Sequence, residues 1–562
     1  MRAFAFLTSG LIAVLAHAAE TKRPNVLFIA VDDLRPEVNA SGSNVIKTPN
    51  LDRIAARGTT FDRAYCQQAV CSPSRSSLMT GRRPDATRVW DLETHFRTAL
   101  PDAATVAQYF KNHGYHSMSM GKIFHGGFDD PQSWSVPSQY PKSPQYASEA
   151  ALKMQNDPAN TDKKGRARGP AVEDADVPDD TYADGKIARL AVKTLGELKQ
   201  STKPFFLAVG MLKPHLPFVA PKKYWDLYDP AKIYVPAFQK LPAGAPGFVG
   251  HTNGELASYA DIPKNGVIDD ALARRLRHGY YAAISYMDAQ VGLVLDALEK
   301  EGLADNTVIV LWGDHGWQLG EHGLWHKHTN FEVSARSPLI ISAPGQKAVG
   351  RKSLSLAEFI DIYPTLADLC GLPKPKDVEG VSLKPVLDDA AASVRPVAIS
   401  QYPRSDGGKS LMGYSIRDDR WRLTLWRDRK DNSIHATELY DEVSDPHETV
   451  NVATKPEHAE VIARLSKFLP PPIAPATAQN TAAPAGKKGK AGKGAAKGDP
   501  KAGTRDRGAM FDGRDLNKDG KLNKEEFMLN QRDPEQAAKN FVSFDKDQSG
   551  DVNREEYVKS GK

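Results

Sequence analysis

The chain has 562 residues, 40% of them hydrophobic, a formal net charge of +5 and three cysteines. That length allows two or more domains with a sizeable core, three cysteines exclude a disulfide framework, and so small a charge on so long a chain gives no basis for a nucleic-acid partner. Met1-Arg2, the apolar stretch from Ala3 to Leu15, and Ala16-His17-Ala18 read as a secretory signal peptide over residues 1–18. The mature protein is therefore expected to be exported, periplasmic or extracellular, and no later apolar run is long enough to span a membrane.

Residues 19–395 alternate strand and helix signals, which predicts an α/β sheet covered by helices. Asn25 to Val31 is a continuous apolar, β-branched run of the kind buried on both faces, and it ends in Asp32-Asp33. In Cys71-Ser72-Pro73-Ser74-Arg75 the Ser-Pro pair can open a helix, with Ser as cap, leaving residue 71 at a helix N-terminus where backbone N–H groups favour an anion. Residues 126–180, rich in Pro, Asp, Ser and Gly, read as a surface insertion that either shapes a cleft or is passive loop. The longest predicted helix runs from Ala271 to Glu301, with Ile284, Met287, Val291, Leu295 and Leu298 facing the core.

A second buried strand, Thr307 to Trp312, is followed after Gly313 by Asp314-His315-Gly316. Ligands collect beyond the carboxyl ends of strands in an open parallel sheet, so Asp32, Asp33, Asp314 and His315 are placed to converge on one cation. Residues 396–469 read as antiparallel strands with a closing helix.

The Cys71 pentapeptide, followed by Leu78-Met79-Thr80-Gly81-Arg82-Arg83-Pro84, Gly121-Lys122, Lys213-Pro214-His215 and Asp314-His315-Gly316 in that order, resembles the type I, formylglycine-dependent sulfatases over most of residues 23–455. Within the family the likeness is to the iduronate-2-sulfatase branch, through Lys122-Ile123-Phe124-His125, Lys213-Pro214-His215-Leu216-Pro217-Phe218, the segment from Gly320 to His328, and Met412-Gly413-Tyr414-Ser415-Ile416-Arg417. The resemblance implies an alkaline-phosphatase-like sulfatase fold: a large mixed sheet covered by helices over residues 19–395, and a smaller C-terminal antiparallel-sheet subdomain over 396–469.

It also implies a sulfuric ester hydrolase acting on a sulfated polysaccharide or oligosaccharide, with 2-O-sulfated iduronate or uronate of a glycosaminoglycan-like chain as the expected target. A formylglycine-generating enzyme would oxidise Cys71 to formylglycine, whose hydrate attacks sulfur. Ca2+ would be held by Asp32, Asp33, Asp314, His315 and residue 71, steadied by Arg75. An imidazole is an unexpected ligand for so hard a cation, so the identity of the metal stays open. Lys122 and Lys327 would neutralise the sulfuryl oxygens, His125 would act as base, and His215, sharing with Lys327, as acid to the leaving oxygen. Trp317, Arg404 and Lys409 fall in segments that resemble the subsite for a uronate carboxylate, although Trp317 could equally pack against its loop. The competing readings are a sulfatase for another sugar, a phosphoester hydrolase of the same architecture, and a non-catalytic glycan-binding protein.

From Pro470 to about Arg505 the chain turns to Pro, Ala, Gly and Lys, a flexible linker that is either a basic tether for polyanionic glycans or plain solvated chain. Residues 506–562 then carry two EF-hand patterns, an appended α-helical module expected to bind two Ca2+ ions. Asp515, Asn517, Asp519, Gly520, Lys521, Asn523 and Glu526 fill the first loop, and Asp545, Asp547, Ser549, Gly550, Asp551, Asn553 and Glu556 the second.

Overall fold

The computed structural model describes residues 23–162, 165–250, 253–264, 266–473, 511, 515, 519–528 and 534–560. The expected signal peptide, linker residues 474–505 and Asn517 lie outside the described residues. The chain divides into two compact units, Met1–Pro475 and Ala476–Lys562.

The first unit is built on a seven-stranded sheet of β1 (Asn25–Val31), β2 (Thr59–Tyr65), β3 (His116–Gly121), β4 (Phe205–Met211), β5 (Thr307–Gly313), β6 (Leu339–Ser342) and β7 (Arg351–Glu358), in the order β3-β4-β1-β5-β6-β2-β7. Only β6 runs antiparallel to its neighbours, so the sheet is mixed. Every residue of β1, β4 and β5 is buried, as their unbroken apolar runs require.

Side chains alternate between the faces of this sheet. Leu27, Ile29 and Val31 join a core with α3 (Ala183–Leu198) and α4 (Asp270–Lys300), while Val26, Phe28 and Ala30 pack with α1 (Cys71–Thr80), α2 (Val106–Asn112) and α5 (Ile362–Leu369). The five core residues expected on the long helix are all buried in α4, which Asp269 caps by accepting from Leu272 N.

Register decides where the chemistry goes. Val31 lies opposite Met211 on one side and Gly313 on the other, so β1, β4 and β5 end level and deliver residues 32–33, 212–213 and 314–315 to the same edge. Gly121 and Gly210 are paired at the end of β3 and β4, and Lys122 N donates to Gly210 O at 2.9 Å. A Cβ on Gly210 would stand 2.2 Å from the Lys122 carbonyl oxygen, so that crossing needs glycine.

One expectation is corrected, and one open reading is narrowed. Helix α1 begins at Cys71 with Val70 as its cap residue, so Ser72 is already inside the helix and caps nothing. Pro73 falls in the first turn, where its missing N–H has no intrahelical partner to lose. The segment 126–180 is anchored more firmly than its composition indicated. Asp130, Ser133, Trp134 and Tyr146 are buried, Asp130 holds Arg97 at 2.6 Å, and Val172–Glu173 pairs with Phe218–Val219.

The C-terminal part of this unit is an antiparallel meander of β8 (Ala398–Asp406), β9 (Lys409–Arg417), β10 (Trp421–Asp428) and β11 (Ile434–Asp441), followed by α6 (Ala459–Ser466). One face packs Ile416, Leu423 and Leu439 against Leu465 of α6. The other packs Leu411, Trp426 and Tyr440 on Leu324 and Phe331, which bracket the segment bearing Lys327.

In the second unit Lys521–Leu522 pairs antiparallel with Val552–Asn553 over a core of Phe511, Leu522, Phe527, Phe541, Val552 and Tyr557. Among the described residues no helix is long and apolar enough to cross a membrane.

Candidate active site

Beyond the level ends of β1 and β5, the ligand atoms of Asp32, Asp33, Cys71 and His315 all lie within 4.8 Å of one another, and all four residues are buried. Cys71 Sγ is 3.4 Å from Asp32 Oδ1 and 3.4 Å from His315 Nε2. His315 Nε2 is in turn 3.4 Å from Asp33 Oδ1 and 3.5 Å from Asp314 Oδ1. The other ring nitrogen, Nδ1, donates to Gly316 O at 3.0 Å, which leaves Nε2 as the atom turned toward the cluster. Asp33 adopts a left-handed φ of 60°, uncommon for a residue with a Cβ, and its N–H donates to Asp314 Oδ1 at 2.9 Å.

Three cations surround these carboxylates. Arg75, wholly buried, donates from Nε to Asp314 Oδ2 at 2.9 Å, from Nη2 to Asp32 Oδ1 at 3.3 Å, and from Nη1 to the carbonyls of Lys122 and Ile123. Lys122 Nζ donates to Asp32 Oδ2, and Lys327 Nζ to Asp33 at 3.0 Å. Burial pushes the Asp32 carboxyl up, but Lys122, His215 and Arg75 outweigh it and hold the group well below the usual range. Asp33 ends above its ordinary value, because burial and the Asp32 charge outweigh Lys327. Three carboxylates and an imidazole nitrogen are a donor set that suits a divalent cation. Burial and Asp32 also raise the Cys71 thiol well above its normal value, so as a thiol it would be a poor nucleophile.

The remaining expected residues are placed as follows. His215 Nδ1 lies 2.7 Å from Leu216 O, and Nε2 faces Glu255 at 3.3 Å and Asp33 at 3.9 Å. Burial, with Lys122 next, pushes His125 down to about 4, and its Nδ1 is buried with no hydrogen-bond partner among the described residues. Trp317 is 1% exposed, and Lys327 Nζ stands 4.9 Å above its ring. It therefore supports the ammonium instead of offering a solvent-facing sugar contact. Arg404 donates to the carbonyl of His328, the neighbour of Lys327, and among the described residues no carboxylate lies within ion-pair distance of it. Lys409 is exposed at the tip of the β8–β9 hairpin, 3.8 Å from Asp428, and no contact joins it to the cluster among the described residues.

The structure adds residues that the motifs did not single out as site residues. Glu255 meets both His215 and Lys327. Lys213, buried and thereby pushed down to about 8, donates to the carbonyls of His215 and Pro217, while Asp184 accepts from the N–H groups of Leu212 and Lys213. Lys213 was legible within the Lys-Pro-His match, whereas nothing around Glu255 marks it. A cavity of about 330 Å³ opens beside Asp32, Lys122 and His215, and Ser143, Pro144 and Gln145 of the 126–180 segment line it.

A mixed sheet with acidic strand ends, a buried helix start between them and a meander at the C-terminus defines a metal-dependent hydrolase of the alkaline-phosphatase-like sulfatase fold. The sulfatase family model matches residues 24–372, and the model of the N-sulphoglucosamine sulphohydrolase C-terminal region matches 320–471. Iduronate 2-sulfatase of Mus musculus is 34% identical over 538 residues, covering 82% of this chain and 97% of that protein. A solved structure in complex with its substrate D-glucosamine-2-N,6-O-disulfate is 25% identical with a TM-score of 0.62, covering 80% of this chain and 97% of that one. The phosphonate monoester hydrolase of Silicibacter pomeroyi also has a TM-score of 0.62 at 25% identity, over 79% and 94% of the two chains. This chain belongs to the sulfatase family and is a sulfuric ester hydrolase.

Proposed function

We propose that the protein is an exported sulfatase that removes the 2-O-sulfate of iduronate or a related uronate in a glycosaminoglycan-like chain. The observation that carries this is the convergence of Cys71, Asp32, Asp33, Asp314 and His315 with Lys122, Lys327, His125 and His215 at one sheet edge. A cation held by Asp32, Asp33, Asp314 and His315, calcium by resemblance, and the formylglycine made from Cys71 by a formylglycine-generating enzyme would together supply a strong oxygen nucleophile.

The chain's own residues do the rest. Lys122 and Lys327 approach the cluster by way of Asp32 and Asp33, so a sulfate seated between them meets two ammonium groups where its oxygens gain charge. Arg75 fixes the two aspartates that frame the site. His125, held neutral by burial, accepts a proton from residue 71, and His215 gives one to the departing sugar oxygen. Arg404 donates to the carbonyls of Pro403, Val249 and His328 and meets no carboxylate among the described residues, and is the candidate for the uronate carboxylate.

We read the second unit as two EF-hand calcium sites, and the observations behind this are fullest for the second loop. Asp545, Asp547 and Glu556 bring oxygen atoms within 4.8 Å of one another, Gly520 and Gly550 take the positive φ that the sixth loop position needs, and Asp545 accepts from the N–H groups of Ser549 and Gly550.

The fold shared with a phosphonate monoester hydrolase keeps one rival in view. Release of sulfate from a disaccharide bearing 2-O-sulfated iduronate, compared with release from glucosamine 6-sulfate and fucose sulfate and with alcohol release from a phosphonate monoester, decides between them. Preference for the iduronate compound, reduced by Arg404→Ala, is expected. Turnover of the phosphonate alone would overturn the reading.

A further inference from the structure

One carboxylate outside the family motifs faces two of the proposed proton-bearing groups at once. Glu255 is 3.2 Å from Lys327 Nζ through Oε2 and 3.3 Å from His215 Nε2 through Oε1. Its loop is tied to the Lys327 segment, since Asn253 Oδ1 accepts from Trp325 N at 2.8 Å, and the Glu255 carbonyl accepts from the Ser258 hydroxyl at 2.7 Å. On its other sides Lys327 meets Asp33 at 3.0 Å and the Trp317 ring at 4.9 Å. His215 is pinned at Nδ1 by Leu216 O, so Glu255 fixes the opposite edge of the ring. Asp33, at 3.9 Å, is the other carboxylate near that nitrogen.

We infer that Glu255 is a positioning residue, whose carboxylate holds the Lys327 ammonium and the His215 imidazole side by side, aimed at the oxygen that leaves with the sugar. This rests on the sulfatase reading. When the S–O bond breaks, its electron pair stays on the departing oxygen. A sugar alkoxide is too basic to leave unprotonated, so a proton must reach it from one of these two donors as the bond opens. A nitrophenolate-type oxygen leaves without that help. The contribution of Glu255 therefore grows with the basicity of the leaving oxygen, which a merely structural glutamate would not show.

The test compares Glu255→Gln and Glu255→Asp with the wild-type full-length protein, co-expressed with a formylglycine-generating enzyme, on a 2-O-sulfated iduronate disaccharide and on 4-nitrocatechol sulfate. Glu255→Gln should lower kcat on the disaccharide by about 10²-fold, the scale of a misplaced general acid, and kcat on the aryl sulfate by at least about tenfold less, since there only the contact of Lys327 with the sulfuryl oxygens is disturbed, while both KM values change little. Glu255→Asp should recover part of the disaccharide rate. In parallel, a crystal structure of Cys71→Ala with Glu255→Gln should show Lys327 Nζ and the His215 ring displaced from their wild-type positions. Equal loss on both substrates, or both side chains unmoved, would overturn the inference. A wild-type protein inactive on both substrates would defeat the iduronate reading, and the crystal structure would still decide whether Glu255 places the two groups.

Discussion

Arg75 Nε meets Asp314 Oδ2 at 2.9 Å with both side chains sealed from solvent, while the same guanidinium reaches Asp32 and the carbonyls of Lys122 and Ile123. One residue of helix α1 thereby clamps the ends of β1 and β5 and the strand-end turn after β3. Arg75→Ala would take the buried guanidinium from Asp32 and Asp314, leaving Asp314 Oδ2 and the carbonyls of Lys122 and Ile123 without the donor they now have. It is expected to destabilise the protein by about 3–5 kcal/mol and abolish sulfate release, as urea unfolding and a rate assay would show.

The Gly210–Lys122 crossing makes a second prediction. Gly210→Ala puts a Cβ against the backbone of Lys122, which cannot move without shifting the ammonium beside Asp32. Stability should fall by about 1–3 kcal/mol and kcat should drop with it. Gly196→Ala in α3, where a Cβ meets nothing within 4 Å, should instead gain about 0.5–1 kcal/mol. Thermal melting of the two variants checks both signs.

A third concerns pH. Burial, with Lys122 beside it, lowers His125 to about 4. A histidine with a lowered value stays neutral, and able to accept a proton, at any pH above that value, and loses the ability as pH falls through it. The acid limb of kcat due to this base should therefore lie near pH 4, not near the ordinary histidine value of about 6.5. His125→Ala should lower kcat by about 10²–10⁴-fold and remove that limb, which kcat measured from about pH 3 to 7 would reveal.

Much of the site was legible because its parts are local. The β1 and β5 runs announce buried strands, and the acidic residues that close them need only level strand ends to meet. The start of α1 was misplaced by one residue's role, since the capping preference of Ser72 yields to a helix already begun at Cys71. Trp317 was found as a residue, but a motif does not say which way a side chain faces. Glu255 was invisible because it comes from a loop with no periodicity, 72 residues before Lys327, and only the tertiary fold brings the two together. The anchoring of 126–180 was hidden for the same reason, its buried Asp130 being satisfied by distant Arg97.

For the second unit, Asp545→Ala and Glu556→Gln should each abolish calcium binding by that loop, read by calorimetric titration, because each removes a carboxylate from the converging set. Hydrolysis of a small sulfate ester should be unchanged in both. Loss of that activity would show that the module supports the catalytic fold.

The most direct measurement follows the conversion of Cys71. Protein made with and without a formylglycine-generating enzyme is digested, the fraction of the Cys71 peptide carrying the aldehyde is read by mass, and sulfate release is measured on the same samples. Activity should rise in proportion to the aldehyde fraction and vanish in Cys71→Ala. Equal activity in protein whose Cys71 remains a thiol would contradict the assignment of residue 71 as the nucleophile.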